Sequence, residues 1–361
     1  MENKQTTGNT GEWSELYALG FILANGGVYG ADKNQERRED LFYKVLKVIF
    51  AEKIGEERMS YEMCDGHVDI FLGKKKLATV KVNKIKNVLD KMFQSLSSTN
   101  EGRAYSLETG SEMMNILRKE VIKASSFDKK DLDLIMLDIK TQQPTPEIGF
   151  SIKSQLGSPS TLVNASSATN FIFEIKDKNG NTPNKKDLPK LHEKNVKDNI
   201  KAIREAGLNI TFCGMDSETF HNNLSLIDSR LPEYISTILL SYYSREGNKF
   251  ADLVSKNFSE KSKESKQPVH KIKEFLSTMA LGMMPNTSWD GILTSLGGFL
   301  LVKKDGDVLC YYLYNINDFQ EYLLNNTKLD TPSTTRYEIG KLIEEGGRAF
   351  IKLNLQVRFI K

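Results

Sequence analysis

Cysteine is scarce in this chain: three in 361 residues, Cys64, Cys213 and Cys310, far apart and with no CxxC pair. Four scattered histidines, His67, His192, His221 and His270, add no zinc-finger spacing. A disulfide framework and a structural zinc are therefore not expected, and the chain reads as reduced. Long apolar runs are missing as well. Nothing approaches the ~20 residues of a membrane span, and the opening MENKQTTGNTGEW is polar, without the apolar segment of a signal peptide. A cytoplasmic protein with no membrane partner is expected. An excess of one charge is also lacking, since 50 Lys and Arg face 47 Asp and Glu, for a net +3. This permits a nucleic-acid partner without demanding one, because one face can be basic while the rest is neutral.

What is present is an ordinary globular composition, 39% hydrophobic and 27% charged, in a length that suits one large domain or two. Residues 11–26 read as a helix, with Trp13, Leu16, Tyr17, Leu19, Ile22 and Leu23 as its apolar stripe and Gly26 and Gly27 as its stop. Residues 41–52 fit strand or helix. Residues 68–82 read as two strands about Gly-Lys-Lys-Lys, and 84–96 and 111–124 as helices. Strands are expected at 171–175 and 208–215, the latter buried, and helices at 190–206 and 226–241. An Asp-Gly hairpin is expected over 297–315, and an alternating strand over 351–359. The sum is an α/β (α+β) fold with a mixed central sheet flanked by helices. The charged stretch 257–267 is the most linker-like, dividing a core (1–256) from a C-terminal part (268–361) suited to DNA recognition, either separate from the core or fused to it.

The chemistry concentrates between 129 and 170. Asp131 and Asp133 head an apolar run. A proline-bearing turn, 141–147, leads to a second run that ends in Ser151-Ile152-Lys153. Two β-length runs about such a turn predict a hairpin, 131–153, that brings acids near a lysine. A metal-dependent phosphodiesterase needs that set: carboxylates for Mg2+, the ion to polarise phosphate and water, the lysine to offset developing charge. The bland alternative is that Asp and Lys merely mark strand ends at solvent. Ser151 stands where the usual pattern has an acid, and it supplies no charge. Asp131 and Asp133, on the same strand face, are both candidates for the metal.

The segment GFSIKSQLGSPSTLVNASSATNF (149–171) resembles the core signature of the HpaII-type restriction endonucleases. So do TGNTGEWSELYAL (7–19), NNTKLDTPSTTRYEIGKL (325–342) and IKLNLQVRF (351–359). The resemblance touches both ends and the middle of the chain. It implies a PD-(D/E)xK-type core with an additional β-rich C-terminal part, and an Mg2+-dependent Type II enzyme cutting duplex DNA at CCGG. It also implies that an acid on the first helix can complete the metal site, for which Glu15 is chosen. Glu147 and Glu174 remain alternatives. The place of Asp131 in KKDLDL matches the resembled motif, which puts it first for the metal with Asp133 as the fallback, and Asp131, Ser151, Lys153 and Glu15 are thus the catalytic candidates.

The Ser-, Thr- and Asn-rich stretch after Lys153 is either a capped surface loop or a DNA-facing segment, with Gln155, Ser160, Asn164 and Asn170 as contacts. Arg336 and the polar face of the last strand, Gln356 included, fit base readout as well as they fit a solvated face. A palindromic target favours a two-fold homodimer, although some such enzymes act as monomers, and a cognate cytosine methyltransferase is expected as a genetic rather than a physical partner. The rival readings are a DNA-binding module or degenerate nuclease without cleavage, which Ser151 supports, and an α/β protein unrelated to nucleic acid.

Overall fold

The computed structural model describes residues 6–54, 57–99, 103–122, 130–157, 159–192, 195–258, 263–293, 297–333 and 336–360. They group into two units, residues 1–160 with 293–322 and 361, and residues 161–292 with 323–360.

In the first unit, β1 (Thr7–Gly8) precedes α1 (Thr10–Asn25). Local chemistry sets both ends of this helix. The Asn9 side chain accepts from the Glu12 N–H at 3.0 Å while Glu12 Oε2 accepts from the Asn9 N–H at 2.9 Å, a reciprocal capping box. Gly26 closes the other end with φ of 72°, a conformation that disfavours a side chain. The expected stripe is fully realised: Trp13, Leu16, Leu19, Ile22 and Leu23 are each 0% exposed. At about 1.5–3 kcal/mol per buried side chain, these five fix the rotation of the helix, whatever its polar residues prefer.

The chain then lays down β2 (Gly27–Ala31), β3 (Arg37–Ile54), β4 (Glu57–Cys64), β5 (His67–Leu72) and β6 (Lys75–Lys81). Next come α2 (Val82–Ser98), β7 (Tyr105–Ser106, paired with β1), α3 (Glu108–Ile116), β8 (Leu132–Met136) and β9 (Ile148–Ser154). The ambiguous 41–52 stretch is strand. The helix expected over 111–124 stops at Ile116, because Arg118 turns to φ of 56° and Val121 is exposed; residues 123 and 124 lie outside the described residues.

The later hairpin, β13 (Gly298–Val302) and β14 (Val308–Tyr312), joins this same unit. β13 lies parallel to β9, and β14 parallel to β2. The sheet runs β2-β14-β13-β9-β8-β3-β4-β5-β6, and β2 also pairs with β3. The mixed sheet therefore closes on itself through six strands, which the sequence did not suggest. Closure is feasible because β3 is 18 residues long and its pairings break register near Val45 and Ile49. Such bulges bend and twist a strand, so its two halves serve different neighbours.

The second unit holds two small sheets. One is β10 (Thr161–Val163), β18 (Val357–Phe359) and β15 (Thr327–Leu329). The other orders β12 (Asn209–Met215), β11 (Asn170–Lys176), β17 (Arg348–Asn354) and β16 (Leu342–Glu345). β12 is an edge strand with half its residues exposed or nearly so, not the buried strand expected. The helices are α4 (Val196–Glu205), α5 (Glu218–Ile227), α6 (Leu231–Tyr243), α7 (Phe250–Asn257) and α8 (Lys263–Leu281). α9 (Ile316–Asn325) carries the chain from the first unit into the second. Within the linker-like 257–267 stretch, Asn257 ends α7 and Lys263 opens α8, while 259–262 lie outside the described residues. Among the described residues, no helix is long and apolar enough to cross a membrane.

Candidate active site

The β8–β9 hairpin forms as expected, antiparallel, with Leu132 opposite Phe150 and Asp133 opposite Gly149. Asp138 shapes the connecting turn by accepting from the Lys140 and Thr141 N–H groups at 3.0 and 2.7 Å. Asp131 sits one residue before β8, so the register continues to place it opposite Ser151. Its N–H donates to the Phe150 carbonyl at 2.8 Å, and its Oδ2 accepts from the Ile152 N–H at 2.5 Å. The carboxylate is thus fastened to the strand that carries Ser151 and Lys153.

Glu15, on the second turn of α1, meets this pair from the helix side. Burial pushes its carboxyl from 4.5 up to about 8, the Asp131 and Glu12 charges push the same way, and the Lys119 and Lys153 charges oppose them. Burial likewise raises Asp131 above its usual range, against the Ile152 N–H and the Lys153 charge. Two carboxyls therefore share a poorly hydrated space on which the Lys119 and Lys153 charges act. Among the described residues, the Lys153 ammonium makes no ion pair.

Two buried oxygens here lack a hydrogen-bond partner: Glu15 Oε2 and Ser151 Oγ, the latter on a side chain in a residue only 2% exposed. Orphaned buried acceptors are uncommon, and an ion or ordered water is a standard reason for them. Carboxylate and hydroxyl oxygens with no thiolate or imidazole form a hard donor set, which suits Mg2+. Glu15 and Asp131 are residues that could hold such an ion, and their chemistry fits it.

Other sequence candidates are placed elsewhere or already engaged. Asp133 does not share Asp131's surroundings. It is 3% exposed and paired with Arg58 at 3.3 Å and with Lys130 at 2.9 Å, so two cations already meet its charge. Glu147 is exposed and pairs with Arg58 at 2.7 Å. Glu174, in the second unit, is held by Arg348 at 2.7 and 2.6 Å, and that bond with the Lys176 contact lowers its carboxyl from 4.5 to about 2. Of the three acids considered to complete the site, Glu15 is the one the structure brings to Asp131 and Lys153.

The DNA-contact candidates divide similarly. Asn164 and Arg336 are exposed, and Ser160 is half-buried. Gln155 donates to Gln35 in the first unit. Asn170 is 1% exposed, donating to Asp216 and the Tyr337 carbonyl and accepting from Asn354. Gln356, 8% exposed, lies between β17 and β18 rather than on one continuous strand. On the polar side of this segment Asn354 is 0% exposed, Lys352 pairs with Asp216 and Glu338, and Arg358 pairs with Asp330. The polar face is neither solvated nor open, because internal partners meet it. Thr334 and Thr335, beside Arg336, lie outside the described residues.

Three residues near the site escaped the sequence reading. Arg58 and Lys130 anchor Asp133, and Lys119, 5% exposed, places its ammonium 3.5 Å over the Phe50 ring while its charge acts on Glu15. Lys130 directly precedes Asp131 in the chain, a faint signal; nothing local marked Arg58 or Lys119.

A family model described as HpaII restriction endonuclease matches residues 9–359. A Type II restriction enzyme HpaII from Haemophilus parainfluenzae is 35% identical over 364 residues, which covers 98% of this chain and 99% of that protein. No solved structure matches the chain.

Proposed function

The chain belongs to the HpaII restriction endonuclease family, and from that premise we propose that it hydrolyses both strands of duplex DNA at a short palindrome, CCGG, using Glu15, Asp131, Ser151 and Lys153. The observation that carries the proposal is the pair of orphaned buried oxygens, Glu15 Oε2 and Ser151 Oγ, with the Asp131 and Lys153 charges acting on Glu15. An Asp at the head of one strand and Ser-x-Lys on its neighbour also follow the PD-(D/E)xK pattern, with serine in the acid's place.

Glu15 and Asp131 would hold Mg2+, which when bound supplies a Lewis acid for phosphate and a lowered pKa for water. The Ile152 N–H holds the Asp131 carboxylate against rotation. The Lys153 ammonium stabilises the charge that grows on the phosphoryl oxygens during attack. Ser151 Oγ donates a hydrogen bond to a water at the site and leaves the charge to Glu15. Exposed Arg336 and Asn164 are the better base-edge candidates, since arginine matches guanine O6 and N7. A palindrome read symmetrically calls for a two-fold homodimer, and a cytosine methyltransferase of the same specificity would protect the host's DNA in the cytoplasm.

One observation favours a second reading, a binder without cleavage: Ser151 replaces an acid. A digest separates the two. Unmethylated duplex DNA, incubated with the protein and Mg2+, should give discrete fragments ending at CCGG, and Lys153→Ala should leave the DNA whole. Intact DNA with both proteins, alongside a salt-dependent gel shift, would leave the binding module standing.

A further inference from the structure

The β4–β5 hairpin carries a second group of metal-type ligands, apart from the acids described above. Cys64 and His67 flank the Asp65-Gly66 turn and are directly paired, and Asp69 lies two residues further on β5, on the face of His67. One ligand atom from each of the three lies within 4.8 Å of the others. His67 Nε2 is 3.8 Å from Asp69 Oδ1, and Cys64 Sγ is 3.9 Å from Asp69 Oδ2. Tetrahedral zinc with S, N and O ligands needs edges of about 3.3–3.6 Å, so small side-chain rotations close the set.

Two supporting bonds hold the ligands in place. His67 Nδ1 lies 3.0 Å from the Asp65 carbonyl, so its N–H donates there and Nε2 keeps its lone pair towards Asp69. Backbone carbonyls orient metal-binding imidazoles in this way. Thr79, opposite Asp69 on β6, donates to Asp69 Oδ1 at 2.6 Å and fixes the carboxylate. A cation already occupies the position: Lys76 Nζ stands 2.7 Å from Asp69 Oδ2 on a side chain that is 48% exposed. Its exposed stem lets it leave for water. The spacing rules missed this group because one ligand is a carboxylate and the three converge only across a hairpin.

We infer that Cys64, His67 and Asp69 form a site for a borderline-soft divalent ion of the zinc class, with Lys76 as the competing cation. On binding, the Cys64 thiol gives its proton to solvent and its thiolate bonds the ion, while Lys76 is released from Asp69. The all-oxygen donor set at Glu15 and Asp131 selects a harder ion, so the two sites differ in ion as well as in place.

The test uses the full-length protein, stripped of metal and kept under a non-thiol reductant. Titration with Co2+ should give a near-ultraviolet thiolate-to-cobalt charge-transfer band that saturates at one equivalent and is displaced by Zn2+. Cys64→Ser should abolish the band, and His67→Ala should weaken binding tenfold or more. Lys76→Ala should tighten binding several-fold. Cys64 is exposed, so its variant keeps the core intact, and its Mg2+-dependent DNA cleavage should be unchanged. A missing band, or one that survives in Cys64→Ser and so belongs to another thiol, would overturn the site. Unchanged affinity in Lys76→Ala would overturn Asp69 as a ligand, since Lys76 and the ion cannot share its Oδ2.

Discussion

Replacing Glu15 by Gln keeps the volume of the side chain and removes the ionisable group that burial pushes from 4.5 to about 8. Below pH 4.5 the carboxyl is protonated in both folded and unfolded chains and costs nothing. Between 4.5 and 8 the folded protein keeps a proton that the unfolded chain has released. Wild-type stability therefore falls as pH rises through this window, and the full cost is reached above about 8. At 1.36 kcal/mol per pKa unit, the rise from 4.5 to about 8 sets a ceiling near 5 kcal/mol. Relaxation of the site and coupling to Asp131, which titrates with it, reduce the expected difference to on the order of 2 kcal/mol. Glu15→Gln should thus match wild type at pH 5 and exceed it at pH 9 in metal-free buffer. Urea unfolding at intervals from pH 5 to 9 measures this. Mg2+ should narrow the gap, because it binds the ionised acids of the folded wild type and expels their protons. Two parallel pH profiles would refute the reasoning, since Glu15 would then be an ordinary hydrated acid and no part of a buried site. A Glu15→Gln protein that still cleaves at the wild-type rate would refute its metal role separately.

Arg58→Met strips one of two cations from an Asp133 that is 3% exposed, and should cost about 1.5–3 kcal/mol in urea unfolding. Glu147→Gln breaks the other, exposed arm of the same arginine and should cost less than about 1 kcal/mol; equal losses would mean that Asp133 is not the anchor. A Cβ at Gly149 would lie 2.8 Å from Lys130 Cδ and 3.2 Å from Asp133 Oδ1. Gly149→Ala should therefore destabilise by about 1–3 kcal/mol through overpacking, and should slow cleavage by moving the hairpin; a neutral result would show that Lys130 yields freely. Glu174 lies below its usual range, so its stabilising bond to Arg348 is complete above about pH 4.5 and lost as pH falls through about 2. Glu174→Gln should be less stable than wild type at pH 6, with the gap closing towards pH 2; a gap independent of pH would show that charge is not its source.

Local periodicity carried much of the first unit. The 3.6-residue stripe of α1, its Gly26 stop, and the β8–β9 hairpin around a proline turn are all written in adjacent residues, whereas the Asn9 cap that starts the helix was not read from them. What local pattern lacks is pairing at long range. Nothing in GFLLV shows that it lies parallel to β9, about 150 residues earlier in the chain, yet that pairing closes the sheet. The same limit explains why Glu174, an acid downstream of Lys153, looked free: its partner Arg348 is 174 residues away. It also explains the last strand. Alternating polar residues look solvated or DNA-facing when seen alone, but Asn354 meets the Ser166 carbonyl and Asn170, and so lies in a buried network.

On the proposed reading, the serine at 151 and the glutamate at 15 make sense as one exchange. A strand acid at 151 would sit opposite Asp131 in the register, on a residue that is 2% exposed. Two carboxylates there would repel each other in a site with little water, and burial already raises Asp131 unaided. In the proposed arrangement the second acid comes from α1, so its backbone is separate from the strand pair and the helix sets its approach, while the Asp131 charge still pushes its carboxyl up. The helix is well able to hold it. The capping box consumes Glu12 and fixes the start, and five fully buried side chains fix the rotation. Their burial, about 10 kcal/mol by area reasoning, exceeds the cost of carrying one raised carboxyl into the same interface. Glu15 can therefore be kept in an unfavourable place by residues that take no part in chemistry, a general way for a protein to hold polar groups ready for a ligand. The neutral hydroxyl left at 151 then costs less to bury than a charge would.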